Sequence, residues 1–165
     1  MSTEAEIATF LAKYSPEITA QLSGARTKLQ ALFPRGCELV YDNYNALVFC
    51  FGPTDRSSDA ILSVAGYPKW ITLFFAKGRT LQDPAGLLQG DGSIIRSIRL
   101  GSPEDLDRPE VRALIAQAIQ PRLPALASAP PLRTITKSIS AKQRPRRPAA
   151  SSKKSAGTPV AKTRK

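Results

Sequence analysis

The sequence predicts an antiparallel α+β sandwich followed by a basic tail. Three observations support this fold class: two helix patterns near the N-terminus, about five strand-like segments in the middle, and one more helix pattern ending near residue 120. The order ααβββββα lacks the alternation of strand and helix that builds parallel sheets, so antiparallel pairing is expected. The predicted folded domain spans residues 1–122.

The two N-terminal helices have recognisable start signals. Thr3 followed by Glu6 fits a capping box that opens a short helix ending near residue 13. Ser15 before Pro16 is typical of an N-cap with proline at the first helical position. Apolar residues then recur at spacings of four and three, which predicts one buried face. That face consists of Ile18, Leu22, Ala25, Leu29 and Leu32.

The middle of the chain predicts strands at residues 37–42, 46–51, 59–67, 69–77 and 94–100, and the last of these could face the core in either register. The first two flank Asn43-Tyr44-Asn45, which predicts a hairpin. A hairpin centred between Asn43 and Tyr44 would place Cys37 opposite Cys50. Helix-start signals occur at residues 102–106 and 107–110, and a final helix is expected to run from there to about residue 120.

Absent residue types exclude several kinds of site. The chain has no histidine, which excludes Ser-His-Asp and Cys-His nucleophilic sites and imidazole metal sites. Two cysteines cannot complete a structural zinc site. We therefore predict no catalytic residue, no metal site and no cofactor. Without a visible export signal or membrane span, we expect a cytoplasmic protein with two free thiols, buried or half-buried.

The net charge of +11 is confined to the C-terminal segment. Residues 1–132 hold 13 Lys and Arg and all 13 acidic residues, whereas residues 133–165 hold 11 basic residues and no acidic one. The composition indicates a Pro/Ala-rich linker at 123–132 and a disordered basic tail at 133–165. The basic residues are Arg133, Lys137, Lys142, Arg144, Arg146, Arg147, Lys153, Lys154, Lys162, Arg164 and Lys165.

Such a polycation is expected to bind nucleic acid or another polyanion without sequence preference. Each basic group that neutralises a phosphate releases a counterion, and the tail has no aromatic residue to stack on a base. Binding to DNA and to RNA should therefore be similar, and the nucleoid is a candidate location. The alternative interpretation of the tail is a solvated segment that keeps the protein soluble.

Two further candidate sites have competing interpretations. The glycine-rich residues 86–93 could cradle a phosphate, although turn glycines at positive φ explain them more simply. Aromatic residues near strand ends could line a small ligand pocket, or could simply pack on the sheet. The pocket residues would be Tyr41, Asn43, Tyr44, Tyr67, Lys69 and Trp70.

Several longer motifs resemble the YdhG-like family, a bacterial domain of unknown function with a fold related to that of frataxin. They are FLAKYSPEI (10–18), YDNYNALVFCFGP (41–53), YPKWITLFFAKG (67–78), LQDPAGLLQGDGSIIRSIRL (81–100) and SPEDLDRPEVRALI (102–115). The resemblance covers about residues 5–120 and implies a two-layer α+β domain. One branch of that family is described as a frataxin-like intracellular iron chaperone.

We therefore predict a non-enzymatic binding module whose basic tail binds polyanions. The alternative is an iron chaperone, for which the acidic groups at helix starts are the candidate ligands. These groups are Glu4 with Glu6, and Glu104, Asp105, Asp107 and Glu110. A third hypothesis is an enzyme built from Lys69, Tyr67 and Asp42 or Asp91, although no spacing singles it out. The sequence does not identify a small ligand or protein partner of the domain.

Overall fold

The computed structural model describes residues 2–149. Its α-helices are α1 (Thr3–Leu11), α2 (Pro16–Leu32), α3 (Pro109–Ile119) and α4 (Leu123–Ala127). Its strands are β1 (Cys37–Asp42), β2 (Leu47–Gly52), β3 (Leu62–Gly66), β4 (Ile71–Phe75), β5 (Arg96–Leu100) and β6 (Arg133–Ile139). The α+β class is confirmed.

All six strands form one sheet in the order β5-β4-β3-β2-β1-β6. Strands β1 to β5 form the predicted antiparallel meander, in which each strand pairs with the next. Strand β6 instead pairs in parallel with β1. The sheet is therefore mixed and six-stranded, where the sequence predicted about five antiparallel strands.

The helices begin close to their predicted caps. Ser15 accepts a hydrogen bond from the Ile18 amide at 3.3 Å, and Pro16 occupies the first turn of α2. The cap of α1 is Ser2 rather than Thr3, and its hydroxyl accepts from the Ala5 amide at 3.1 Å. The predicted face of α2 is buried except for Leu32, which is partly buried.

The core lies between the helices and one face of the sheet. Alternate strand residues such as Phe49, Phe51 and Phe75 are fully buried there, and the ring of Phe33 stacks on Phe51 with centroids 5.3 Å apart. In β5, Ile98 and Leu100 are the buried residues of this face, which decides the facing that the sequence left open. The opposite face of the sheet carries the intervening residues, among them half-buried and polar ones.

The register of the first hairpin differs from the prediction by two residues, because the turn is centred one residue later. Cys50 pairs with Leu39, and Cys37 pairs with Gly52, so the cysteines are not opposite each other. The loop contains four residues, 43–46, and is closed by the Asn43 amide donating to the Ala46 carbonyl at 2.9 Å. Both thiols are free, one buried and the other half-buried, as predicted.

The predicted linker and the first half of the predicted disordered tail are folded. Residues 123–132 contain α4 rather than a linker, and residues 133–139 form β6 rather than a disordered segment. The consecutive β-branched residues Thr134, Ile135 and Thr136 suit a strand, and the free edge of β1 supplies hydrogen-bond partners for their backbone. Residues 150–165 of the predicted tail lie outside the described residues.

Candidate functional site

One end of the sheet carries five of the six predicted pocket residues and the predicted basic contacts within residues 142–147, whereas Arg133 pairs with Cys37 at the other end. In an antiparallel meander alternate loops share an end, so the β1–β2 loop (43–46) lies beside the β3–β4 loop (67–70). Strand β6 is parallel to β1, so residues 140–149 emerge at the same end. We call this surface, made of residues 43–46, 67–70 and 140–149 with Lys13 and Arg99, the hairpin end.

A buried ion cluster anchors the C-terminal segment at the hairpin end. The Asp42 carboxylate is fully buried; it accepts from Lys13 Nζ at 2.6 Å and from Arg146 Nη2 at 2.9 Å. The same Arg146 nitrogen donates to the Asn43 carbonyl at 2.6 Å. Gln143 donates to the Asp42 carbonyl at 3.0 Å. These bonds fasten the segment after β6 across the β1–β2 loop.

The charges in this cluster favour an ionised Asp42. Burial by itself would raise the pKa of Asp42, but the hydrogen bonds from Lys13 and Arg146 outweigh it, and the pKa lies below its usual value. One carboxylate is opposed by two cations, and only the lysine is substantially exposed. The cluster therefore leaves one positive charge in excess at the surface.

Tyr14 joins two strands beside this cluster. Its hydroxyl donates to the Gly66 carbonyl at 2.5 Å and accepts from the Leu47 amide at 2.9 Å, so it bridges the paired ends of β2 and β3. A side chain at position 66 would come within 2.6 Å of Leu22, which explains the glycine. Burial raises the pKa of Tyr14 to about 12. This tyrosine is structural, a role that the sequence did not indicate although Tyr14 lies within the motif FLAKYSPEI.

Arg146 does not belong among the predicted nucleic-acid contacts. Its side chain is only 2% exposed because the guanidinium is inserted between the β1–β2 loop and Tyr14, whose ring centroid is 5.8 Å away. A group enclosed in this way cannot reach a phosphate without giving up its buried bond to Asp42, which would be left with Lys13 as its remaining cation. The sequence could not distinguish it from its neighbours Arg144 and Arg147.

The other described basic residues of the C-terminal segment remain exposed. Lys137 donates to the Asp55 carbonyl at 2.9 Å, and Arg133 lies 3.9 Å from the Asp55 carboxylate. Arg147 donates to the carbonyl of Lys13 at 3.2 Å, near the end of α1. Outside the described residues lie the predicted contacts Lys153, Lys154, Lys162, Arg164 and Lys165.

The predicted aromatic pocket is only partly assembled. Tyr67 and Trp70 stack with centroids 5.7 Å apart, and the Arg99 guanidinium lies 4.1 Å from the centroid of Trp70. Tyr44 is 45% exposed on the neighbouring loop, while Tyr41 lies within the sheet opposite Val48. Asn43 and Lys69 occupy these same two loops.

The grooves described on the surface lie elsewhere. One of about 200 Å³ is apolar and lies between the end of α2 and α4. Another of about 260 Å³ lies between residues 82–85 and α3. A third of about 70 Å³ lies beside the end of β4, around Phe75 and Lys77. None of these three is lined by the predicted pocket residues.

A second buried ion cluster holds the helices to the sheet. Glu38 on β1 is fully buried and accepts from Arg26 Nε at 2.7 Å and from the Thr134 hydroxyl at 2.7 Å. Arg26 also bonds Glu4 at 2.8 Å. Each polar group is matched within the cluster, which connects α1, α2, β1 and β6. It is a structural element rather than a ligand site.

Most of the acidic groups suggested for iron are already engaged within the chain. Lys28 and Arg112 bind Asp107 at 2.7 and 3.2 Å, and Asp105 accepts from the Gly101 amide at 2.7 Å. Glu110 pairs with Arg108 at 3.0 Å. Within residues 2–149 no group of three or more acidic, cysteine or histidine side chains is placed to hold a metal ion.

Two other candidate sites are occupied by the chain itself. Asp83 accepts hydrogen bonds from the amides of Leu87 and Leu88 at 2.9 and 2.8 Å, so these donors of the glycine-rich loop already have an anionic partner. The hypothetical enzyme site is not formed with Asp42, because Lys13 and Arg146 occupy that carboxylate on the core side of the sheet.

Comparison of the chain with protein-family models, with curated proteins and with solved structures finds no match. The resemblance to the YdhG-like family therefore stays a prediction. Of the helices within residues 2–149, none combines the length and apolarity required to cross a bilayer.

Proposed function

We propose that this protein is a non-enzymatic binding module that holds nucleic acid or another polyanion, without sequence preference, through its basic C-terminal segment. The observation that carries the proposal is the separation of charge along the chain. Residues 1–132 are balanced, whereas residues 133–165 contain 11 basic residues and no acidic one. In a cytoplasmic setting, such a module would associate with the nucleoid.

The folded part of this segment supports the proposal by presenting its charges outward. Arg146 anchors the segment, and the exposed basic residues that it carries are Arg133, Lys137, Lys142, Arg144 and Arg147. Ten basic residues of the segment therefore remain candidates for phosphate contact, counting the five beyond residue 149. The anchor keeps the exposed groups against a stable domain.

Counterion release sets the expected signature of binding. If about half of these groups engage duplex DNA at once, the log–log slope of affinity against salt is on the order of −5. Affinity should then fall by about a thousandfold between ~50 and ~200 mM salt. A binding mode based on specific hydrogen bonds or apolar contact would show a much weaker dependence.

Fluorescence anisotropy with labelled random duplexes tests the proposal. The variant carries glutamine in place of the exposed or terminal basic residues Lys142, Arg144, Arg147, Lys153, Lys154, Lys162, Arg164 and Lys165. We expect it to lose most of the affinity and most of the salt dependence. A variant that binds as the unmodified chain does, or binding that ignores salt, overturns the proposal.

A matched pair of double variants controls for net charge alone. Lys153→Gln with Lys154→Gln removes two charges from the segment, and Arg35→Gln with Lys77→Gln removes two exposed charges from the domain. Only the first pair should weaken binding strongly. Equal weakening by both pairs would mean that the whole surface, not the segment, attracts the polyanion.

A further inference from the structure

We infer that the hairpin end is a stacking surface for unpaired bases, so that the preferred partner is single-stranded nucleic acid rather than duplex. The inference rests on the proposed function and specifies its ligand. It depends on a structural observation: Trp70 and Tyr44 lie on adjacent loops, where the basic segment leaves the sheet, and each ring is paired with an arginine from a neighbouring segment.

The first pair centres on Trp70. Its ring is stacked on Tyr67 at 5.7 Å, and the Arg99 guanidinium lies over it at 4.1 Å. Arg99 is exposed, so the guanidinium offers a flat cationic surface to solvent. Guanidinium planes and aromatic rings are the groups on which proteins stack unpaired bases.

The second pair is Tyr44 with Arg144. Tyr44 is 45% exposed at the tip of the β1–β2 loop, and the Arg144 guanidinium lies 5.9 Å from its ring centroid. The Arg144 amide donates to the Tyr44 carbonyl at 2.8 Å, which holds the two residues together. The buried Arg146 also donates to that carbonyl, at 3.3 Å. The tip of this loop is therefore pre-organised, although it is exposed.

The spacing of the two pairs suits a nucleic-acid strand. The loops that carry them are two strand positions apart in the sheet, which corresponds to about 10 Å at the usual spacing of strands. A single strand laid along the hairpin end could contact both pairs at once. Its phosphates would meet the exposed cations that surround the pairs, namely Lys13, Lys69, Lys142 and Arg147.

Charge at this end favours an anion. The Asp42 carboxylate there is buried and already matched by two cations. The exposed carboxylates nearest along the chain are Glu17, in the first turn of α2, and Glu104, in the segment after β5. The chain continues beyond residue 149 into residues 150–165, which contain five more basic residues.

Stacking distinguishes this partner from a duplex. In a duplex the base faces are covered by their neighbours, so aromatic and guanidinium surfaces gain little from it, and only the phosphates are contacted. In a single strand the faces are available, and each stacked base adds between about fivefold and a hundredfold to the affinity. Single strands should therefore bind more tightly than duplexes of equal length.

Trp70 is the sole tryptophan of the chain and reports directly on this surface. The full-length protein is titrated with an oligothymidylate, an oligouridylate and a blunt duplex of the same length. We expect both single strands to quench the tryptophan fluorescence and to bind at least fivefold more tightly than the duplex. Arg99→Gln and Tyr44→Leu should each weaken single-strand binding fivefold or more, with duplex affinity changed less than twofold.

Matched variants separate stacking from charge and from folding. Tyr44→Phe keeps the ring and should retain single-strand affinity. Lys69→Ala removes a lysine at the hairpin end, just before β4, and should weaken binding. Lys77→Ala removes a lysine just after β4, away from the hairpin end, and should leave binding unchanged. Thermal melts establish that each variant is folded before it is compared.

The outcomes separate the two proposals. The stacking surface is overturned if duplex and single strand bind equally well and Trp70 fluorescence is not quenched. The proposed function still stands in that case, provided that binding depends on salt and requires the basic segment. Unchanged single-strand affinity in both Arg99→Gln and Tyr44→Leu also overturns the stacking surface. No binding of any nucleic acid overturns both.

Discussion

Arg146 is the residue that most changes the interpretation of the sequence. It lies among five other basic residues between positions 133 and 147, yet its side chain is 2% exposed and its guanidinium binds Asp42, whose side chain is fully buried. Two charges removed from water interact favourably only when they are paired and hydrogen-bonded, so each depends on the other. The pair therefore makes the C-terminal segment part of the folded domain.

Replacing Arg146 should destabilise the protein strongly. Arg146→Ala leaves Asp42 buried with Lys13 as its remaining cation, and breaking a buried pair in this way costs about 3–5 kcal/mol of the free energy of unfolding. Arg144→Ala, two residues earlier and exposed, should change it by less than about 0.5 kcal/mol. Urea denaturation measures both; equal midpoints would contradict the anchoring role.

The same pair should make stability sensitive to acid. The pKa of Asp42 is lowered in the folded state because hydrogen bonds from Lys13 and Arg146 outweigh the effect of burial. Its contribution is therefore present above the ordinary carboxyl pKa near 4 and is lost as the pH falls through the lower, folded value.

Urea midpoints measured from pH 6 down to pH 2 test this dependence. Asp42→Asn should be less stable at pH 6 and should lose less stability than the unmodified chain on acidification. The exposed Asp55→Asn serves as the control and should follow the unmodified profile. Parallel profiles for all three proteins would refute the assignment to Asp42.

The two cysteines should be protected by the fold rather than by a bond. Burial raises the pKa of the Cys50 thiol to about 11, against the effect of a hydrogen bond with Ser63, and Cys37 is buried. The reactive thiolate form of Cys50 is thus scarce near neutral pH. Iodoacetamide at about pH 8 should label the native protein slowly. In denaturant without reductant it should label both cysteines at once. Intact-protein mass spectrometry measures the labelling. A persistent unlabelled pair in denaturant would indicate a disulfide.

At the scale of elements, β6 is the strand that completes the fold. It pairs with the outer edge of β1. Its threonine hydroxyls also donate hydrogen bonds to carboxylates: Thr134 to Glu38 at 2.7 Å and Thr136 to Glu6 at 2.8 Å. Without β6, the backbone edge of β1 would be exposed to pairing with other chains. The strand thus contributes both to stability and to solubility.

Truncation at two positions distinguishes the folded segment from the rest of the tail. A chain ending at residue 132 loses β6, Gln143 and Arg146, so we expect it to aggregate or to unfold at much lower temperature. A chain ending at residue 149 keeps them and should melt within about 2 °C of the full-length protein. Calorimetry or circular dichroism measures both, and a stable 1–132 fragment would contradict the role of β6.

At the scale of the whole molecule, the charge is divided between a folded part and a terminal part. Five of the basic residues, and no acidic one, lie beyond residue 149, so the chain up to that point keeps a net charge of +6. The exposed basic groups of residues 133–147 remain with the domain. If both parts contact phosphates, the two contributions to salt dependence should be separable.

The 1–149 chain should therefore still bind duplex DNA, but with about half the salt slope of the full-length protein. Its folded basic residues would supply the remaining contacts. Anisotropy titrations over a series of salt concentrations give both slopes. An unchanged slope would assign the contacts to residues 133–149, and complete loss of binding would assign them to the last sixteen residues.

Most of the domain was predictable from local sequence. The signals that predicted it were the Ser15-Pro16 cap, the apolar stripe of α2 and the alternation in β1 to β5. Each depends on neighbouring residues, since a helix or a half-buried strand imposes its own period on apolar side chains. The hairpin register was missed by two residues because the loop holds four residues, a length that backbone hydrogen bonding decides.

The sequence by itself determined the α+β class, the chain order of the first five strands and the separation of charge. Only the tertiary structure decided that residues 133–139 are a strand and that Arg146 is an anchor. Proline and charge content indicated disorder there, because composition measures what a segment can bury alone. The missing partners lie far away in the chain. The edge of β1 is nearly a hundred residues before β6, and Asp42 is more than a hundred residues before Arg146. Partners so distant in the chain leave no periodic signal in the segment that they fold.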